Sequence, residues 1–320
     1  MATTTSAQGS DFGIDVAKKF LQIEGEGLSL EIPNTSKAVL AWLKGVPKGS
    51  CFAVEATNTF HIVFVGLAQK LGHTVYLIDG YRLSRYRDSI GGRAKTDRLD
   101  ARLLRRYLCH EREQLRPWVA PPAAYTKVLS LLQRRERVVN ARVMLQQSLA
   151  DLPECAREAA DLMRRMQRLE KALERRITAY AKEHWEQDVS RCRKIEGFGP
   201  LTSSGLATAY QRGEFRSSDA FVAFIGLDVR ARDSGTQRGK RKLTKKGPSQ
   251  LRRLLYTAAM AASRSATWRP FYQRHRDRGL SATQALVALA RKLARVAFSL
   301  MKNASDYVPA MTVQGPCPST

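Results

Sequence analysis

Phe12-Gly13-Ile14-Asp15-Val16-Ala17 is a short apolar run closed by a carboxylate, and Cys51-Phe52-Ala53-Val54-Glu55-Ala56 repeats the arrangement further along. An acid at the end of an apolar run reads as a side chain at the end of a buried strand. Two such runs predict strands whose ends, Asp15 and Glu55, could sit side by side. A third segment supplies two more acids: Lys95-Thr96-Asp97-Arg98-Leu99-Asp100-Ala101-Arg102. Thr96 can cap a helix from Asp97 to about Cys109, with Leu99, Leu103, Leu104 and Leu108 as its apolar stripe. Asp97 and Asp100, three apart, then share one helix face.

Outward from these segments, residues 12–110 read as α/β. Phe12–Val16, Phe20–Ile23 and Leu28–Ile32 are strand candidates, and Ser36–Leu43 is a short helix. Cys51–Glu55 is a strand, Thr59–Leu71 a helix ended by Gly72, and Thr74–Ile78 a strand. Arg82–Ala94 is polar and broken by glycine, and is expected to be mobile. Three strands, a helix, then alternating strand and helix match an RNase H-like order.

The charge of the chain tells what the acids are for. Its 320 residues carry 54 Lys and Arg against 29 Asp and Glu, a net charge of +25 with pI near 10.3. Phosphate neutralisation dominates nucleic-acid affinity, so nucleic acid is the natural partner. At 43% hydrophobic, the chain has core enough for two or three domains and is not a disordered basic tail. Acids on strand ends in so basic a protein suggest divalent metal beside a phosphate. Two-metal phosphoryl chemistry needs several hard oxygen ligands around ions about 4 Å apart. Without metal, four nearby acids would raise one another's pKa values. The competing reading pairs Asp97 and Asp100 with Arg98, Arg102 and Lys95 on a solvated helix.

Other chemistry is not indicated. The five cysteines, Cys51, Cys109, Cys155, Cys192 and Cys317, have no zinc-ligand spacing and read as reduced thiols. Met1–Ser10 does not look like a signal peptide, and no apolar run reaches the ~18 residues of a membrane span.

Residues 112–122, with Pro117, Pro121 and Pro122, read as a linker. From Tyr125 to Trp185 the spacing is helical, interrupted at Pro153. Leu129, Leu132, Val139 and Leu145 recur before it, and Leu162, Met166, Leu169, Leu173 and Ile177 after it. This predicts a helical hairpin or coiled coil that self-associates. Ile195-Glu196-Gly197-Phe198-Gly199-Pro200-Leu201-Thr202 opens the next region with a turn resembling a helix-hairpin-helix, whose backbone N–H groups can face a phosphate. Phe221–Leu227, a basic loop from Arg230 to Gly247, and helices from Pro248 to Arg264 and Ser281 to Lys302 follow. Phe215, Phe221 and Tyr256 are expected in the core.

With those blocks in hand, a family resemblance is specific. Gly13-Ile14-Asp15-Val16-Ala17-Lys18, Glu55-Ala56-Thr57 and Lys95 to Ala101 resemble the DEDD signature of the IS-one-ten insertion-sequence transposases, a family that includes the pilin-gene invertases. Ile195 to Gly199, Phe221 to Leu227, Asp233-Ser234-Gly235, Lys245-Lys246-Gly247 and Leu251-Arg252-Arg253 follow in the family's order. The chain departs from it at Asn58, Thr59, Phe60 and Val229, none of which would carry a catalytic group.

The resemblance implies a RuvC-like α/β RNase H-like N-terminal domain (1–112), a linker and helical coiled-coil arm (113–189), a mostly α C-terminal transposase domain (190–305) and a tail (306–320). It implies catalysis by Asp15, Glu55, Asp97 and Asp100, binding Mg2+, with Ser234 as the nucleophile that links covalently to DNA. Composition alone would not single out Ser234, because a Ser-Gly pair in a polar loop is usually a turn. The basic residues around it, Arg230, Arg232, Arg238, Lys240, Arg241, Lys242, Lys245 and Lys246, could stabilise an anionic transition state. Arg252 and Arg253 are expected to contact phosphates. The implied partners are donor and target DNA, a bridging guide RNA, and further copies of the chain as a dimer or tetramer. No membrane is involved, and the location is the bacterial cytoplasm, at the nucleoid. Two alternatives stay open: a Holliday-junction-type metal nuclease without a covalent intermediate, and a non-catalytic nucleic-acid-binding regulator.

Overall fold

The structure, a computed structural model, describes residues 9–56, 59–91, 96–230 and 241–309. It divides into two compact units, residues 1–120 and 121–320.

The first unit is built on five strands and four helices. They are β1 (Asp11–Val16), β2 (Phe20–Glu24), β3 (Ser29–Pro33), α1 (Ser36–Lys44), β4 (Cys51–Glu55), α2 (Ile62–Lys70), β5 (Thr74–Ile78), α3 (Gly80–Ser89) and α4 (Asp97–Glu111). The sheet order is β3-β2-β1-β4-β5. β1 pairs antiparallel with β2 and parallel with β4, which pairs parallel with β5. Apart from α3, the order of elements is the one read from the sequence.

Side chains alternate across a strand, so the central strands are buried on both faces for different reasons. Phe12, Ile14 and Val16 of β1 and Phe52 and Val54 of β4 face one core with Val39, Leu43, Phe64 and Val65 of α1 and α2. Phe12 and Phe52 stack at 5.4 Å, and Phe64 meets Phe52 edge-on at 5.3 Å. Ala53 belongs to the opposite core, with Leu83 of α3 and Leu103, Leu104 and Leu108 of α4. The alternation therefore puts Gly13, Asp15 and Glu55 on the α4 side.

Two expectations are corrected here. Arg82–Ser89 is not irregular but most of helix α3. Asp79 caps it, accepting from the backbone N–H groups of Tyr81 (2.9 Å) and Arg82 (3.2 Å). Only Leu83 of α3 is buried, so no apolar stripe announced the helix. Residues 92–94 of the same expected segment lie outside the described residues. Leu99 is not part of the α4 stripe and is 38% exposed, whereas Leu103, Leu104 and Leu108 are buried as expected. The α4 cap is as expected, with Thr96 accepting from the Leu99 N–H at 3.2 Å. The segment read as a linker is pinned to this unit: the Trp118 N–H donates to the Val75 carbonyl at 2.7 Å.

The second unit contains α5 (Ala123–Ser148), α6 (Ala156–Arg193), α7 (Pro200–Tyr210), α8 (Ser218–Ile225), β6 (Val229–Arg230), β7 (Lys242–Leu243), α9 (Ser249–Ala262), α10 (Arg269–Asp277) and α11 (Ala282–Lys302). Its core gathers Phe221, Ile225, Leu255, Leu289, Leu293 and Phe298, with Val128 and Leu132 of α5 and Ile177 and Ala181 of α6. Phe215 and Tyr256 pack on that core, as expected. The first helix of the expected arm thus shares a core with the C-terminal helices. Ser281 and Gln284 form a capping box that starts α11.

α5 and α6 pack on each other, with Arg135 Nε donating to Glu174 at 2.8 Å and Arg142 Nε to Glu170 at 2.6 Å. Part of the expected stripe is covered in this way. Leu162 and Leu169 stay 41% and 50% exposed. Among the described residues no helix is long and apolar enough to cross a membrane. Cys51, Cys109, Cys155 and Cys192 are free thiols; Cys317 lies outside the described residues.

Candidate active site

Strand register brings the first two acids together. Gly13 pairs with Ala53 and Ile14 with Val54. One step further, Asp15 and Glu55 close the two parallel central strands on the same face of the sheet. Asp97 and Asp100 come from the first turn of α4. That helix lies directly against β1 because residue 13 is glycine. A Cβ there would fall inside the backbone at Ala101 and Arg105, and within 3.0 Å of the Ala101 carbonyl carbon. No side chain other than hydrogen fits between strand and helix.

The electrostatics of Asp15 follow from this placement. The Asp15 carboxyl is pushed up from 3.8 to about 6, first by burial and then by the negative charges of Glu55, Asp97 and Asp100. Its own neighbour Val16 donates a backbone N–H to Oδ1 at 3.0 Å and opposes the shift only in part. Glu55 sits at the start of α3, where a Cβ on Gly80 would come within 2.5 Å of its Oε1.

The ion pairs of the described residues bear on the salt-bridge reading of Asp97 and Asp100. Arg98 and Arg102 do not pair with either acid. Both turn to Glu24 of β2, a buried carboxylate, with Arg98 Nε at 3.2 Å and Arg102 Nε at 3.7 Å. Lys95 lies outside the described residues. Asp100, 3% exposed, instead pairs with Arg87 of α3. Sequence reasoning missed Arg87 because its helix was not recognised. It did not single out Glu24, which lies just beyond the strand candidate Phe20–Ile23.

Do these residues fit a divalent metal? Glu55, Asp97 and Asp100 lie within electrostatic reach of Asp15, and carboxylates are the hard oxygen donors that Mg2+ or Mn2+ prefers. Among the described residues, however, no group of three or more His, Cys, Asp or Glu side chains is drawn closely enough together to hold an ion. Asp100 is turned toward Arg87. The donor set fits, and the ligand shell is open.

The basic loop is anchored by an ordered base. Val229 pairs with Leu243 and Arg230 with Lys242. Asp228 accepts from the Thr244 hydroxyl, and its carbonyl from the Thr244 N–H at 3.0 Å. Arg230, Arg241, Lys242, Lys245 and Lys246 are exposed. Arg252 is engaged within the protein: its Nη1 donates to the carbonyls of Ile225 (3.2 Å) and Gly247 (2.7 Å). Arg253 donates to Asn140 at 2.9 Å and pairs with Glu136 at 3.6 Å. Ser234, with Arg232, Arg238 and Lys240, lies outside the described residues.

Known proteins resemble the chain over both its N-terminal and its C-terminal segments. Residues 12–153 match a DEDD transposase family of the IS110 type, and residues 189–273 match the family described as Transposase IS116/IS110/IS902. A protein of Pseudomonas aeruginosa named "Probable family 20 transposase" is 26% identical over 94% of this chain and 99% of its own length. The pilin gene-inverting protein of Moraxella bovis is 26% identical over 78% of this chain and 79% of its own. An uncharacterised 43.6 kDa protein of insertion element IS110 from Streptomyces coelicolor is 29% identical over 44% of this chain and 35% of its own.

Acids gathered at the ends of central parallel strands, on a strongly basic chain matched by a DEDD transposase family, define a DNA transposase or recombinase. The chain belongs to the IS116/IS110/IS902 transposase family, across both its N-terminal acids and its C-terminal half.

Proposed function

We propose that the chain cuts and rejoins DNA through a serine nucleophile, with Asp15, Glu55, Asp97 and Asp100 as the metal-binding group of an RNase H-like domain. The observation that supports the acid site is the raised carboxyl of Asp15, displaced first by burial and then by each of the other three acids. Bound Mg2+ supplies Lewis-acid stabilisation of the phosphoryl oxygens. The acids' role is to place negative charge where only a cation relieves it. Arg87 holds Asp100 in the meantime.

Ser234 acts on the phosphodiester. Its Oγ–phosphorus bond forms as the bond to the leaving deoxyribose oxygen breaks, and its proton passes to a neighbouring base. The phosphoserine link keeps the energy of the cleaved bond, so rejoining needs no ATP. Arg230, Lys242, Lys245 and Lys246, exposed at the base of the loop, support the anionic transition state. The same reading includes a structured guide RNA bridging donor and target DNA, and assembly as a dimer or tetramer.

The test is mass spectrometry of a denatured, nuclease-digested reaction. A nucleotide on Ser234, lost in Ser234→Ala while nucleic-acid binding persists, is the expected result. Turnover with no adduct would favour the junction nuclease, in which the acids hydrolyse DNA without a covalent link. A nucleotide on Ser249 or a tyrosine would reassign the nucleophile. RNA co-purified with the protein, once sequenced, tests guidance separately.

A further inference from the structure

Asn34 follows the last residue of β3 and is half-buried. Its backbone N–H donates to the Lys19 carbonyl at 2.9 Å, in the turn that joins β1 to β2. Thr35, the next residue, caps α1. The chain is therefore held at Asn34 and just after it, and the side chain leaves from a fixed point.

From there Nδ2 donates to the Ala17 carbonyl at 2.9 Å and to the Phe60 carbonyl at 3.1 Å. Ala17 lies just past Asp15, where the chain leaves β1. Phe60 lies past Glu55, where the chain approaches α2. One amide nitrogen thus links the exits of the two parallel strands that carry the first two acids.

The chemistry of this bridge singles out asparagine. Both partners are carbonyls, which only accept, so each must be met by a hydrogen. A carboxamide carries two hydrogens on one nitrogen, whereas a hydroxyl has one and an aspartate would set oxygen against oxygen. Oδ1 is buried and accepts from none of the described residues, so what the side chain supplies is its two donors. Carboxylates that close adjacent strands repel each other, and a cross-link just beyond them resists the spreading. Groups outside a ligand set that hold its geometry in this way govern how well it binds an ion.

We propose that Asn34 is a positioning residue for the acid site, fixing the spacing of Asp15 and Glu55 so that one divalent cation meets both. It acts through the backbone at Ala17 and Phe60 and contributes no ligand itself. This inference rests on the reading of the four acids as a metal-binding group.

The test is Mn2+ binding by the full chain without nucleic acid, followed through the electron paramagnetic resonance signal of the free ion. Asn34→Leu keeps the bulk of the side chain and removes both donors; Asn34→Ser can donate to one carbonyl at most. Ser50→Ala is the control. Ser50 is buried just before β4, at the end remote from Glu55, and its Oγ also makes two hydrogen bonds, with the Ser10 N–H (3.1 Å) and the Pro47 carbonyl (2.6 Å). Asn34→Leu should weaken Mn2+ binding about tenfold and Asn34→Ser by less. Ser50→Ala should lower the melting temperature and leave Mn2+ binding unchanged, and Asp15→Asn should lose the binding. If Asp15→Asn weakens binding and both Asn34 variants bind as wild type, this inference alone is overturned. It is overturned as well if Ser50→Ala weakens binding as much as Asn34→Leu, since the effect is then a general loosening. Failure of Asn34→Ser to fold, by circular dichroism, would make Asn34 a folding residue and also overturn it. Asp15→Asn binding Mn2+ as tightly as wild type would overturn the metal-site reading and this inference with it.

Discussion

Gly13→Ala isolates the contact that brings α4 to the acids. The added methyl would overlap backbone atoms of Ala101 and Arg105, which cannot swing aside as a side chain could. Either α4 moves off β1 or the strand shifts, and the residues around both are fully buried, including Ile14, Ala101 and Leu104. Overpacking of this kind costs about 1–3 kcal/mol, and the backbone origin of the clash places Gly13→Ala near ~3 kcal/mol. For a unit of this size that corresponds to a fall in melting temperature of roughly 10–20 °C. The matched control is Gly66→Ala in α2, where a new Cβ meets nothing within 4 Å. It should stabilise by ~0.5–1 kcal/mol through helix propensity. Both variants are melted by circular dichroism and assayed for strand exchange, which Gly13→Ala should lose although all four acids remain. If Gly13→Ala melts within ~2 °C of wild type, well inside the expected shift, and still recombines, α4 does not depend on that close approach.

Other outcomes follow from the site and the helices. A raised carboxyl binds protons more readily folded than unfolded. The stability tied to Asp15 is therefore fullest below its ordinary value of 3.8 and is lost as pH rises through about 6. Asp15→Asn without metal should then melt higher than wild type at pH 8 and level with it at pH 4, and equal melting at both would remove the charge argument. Arg87→Met leaves Asp100 buried without its partner and should cost about 3–5 kcal/mol in urea denaturation; Asp100→Asn in the same background should recover much of it. Replacing Leu169 and Leu173 with Glu should give smaller species by light scattering if the exposed part of the α6 stripe holds copies together, and an unchanged mass would assign the stripe to the monomer.

The elements that carry the candidate acids were legible because strands announce themselves by where an apolar run stops. Asp15 and Glu55 each close such a run, and Thr96 marks the start of the helix that bears the other two acids. What was hidden depends on tertiary partners. Helix α3 buries only Leu83, so its sequence carries no stripe, and Arg87 could not be connected with Asp100 before α3 was known to exist. Arg98 and Arg102 sit beside Asp97 and Asp100 in sequence, yet both reach Glu24, which is 74 residues from Arg98. Leu99 looked like core by spacing, but the stripe of α4 begins one turn later. In the second unit the small residues of α7 gave no period at all, because Thr202 through Ala209 are buried on every side of the helix.

The hydrogen bond from Trp118 to Val75 has a consequence for how copies of this protein can meet. β5 ends the sheet on one side and would otherwise present open carbonyl and amide groups to any passing strand. The chain leaving α4 returns along that border, with Leu115 packed on the core of one sheet face and Trp118 on the other, and occupies one of those acceptors. On the opposite border β3 carries Glu31 and ends in Pro33, which has no amide to give. Both margins of the sheet thus carry a feature that disfavours strand addition, which favours association of the first unit through its helical surfaces and side chains.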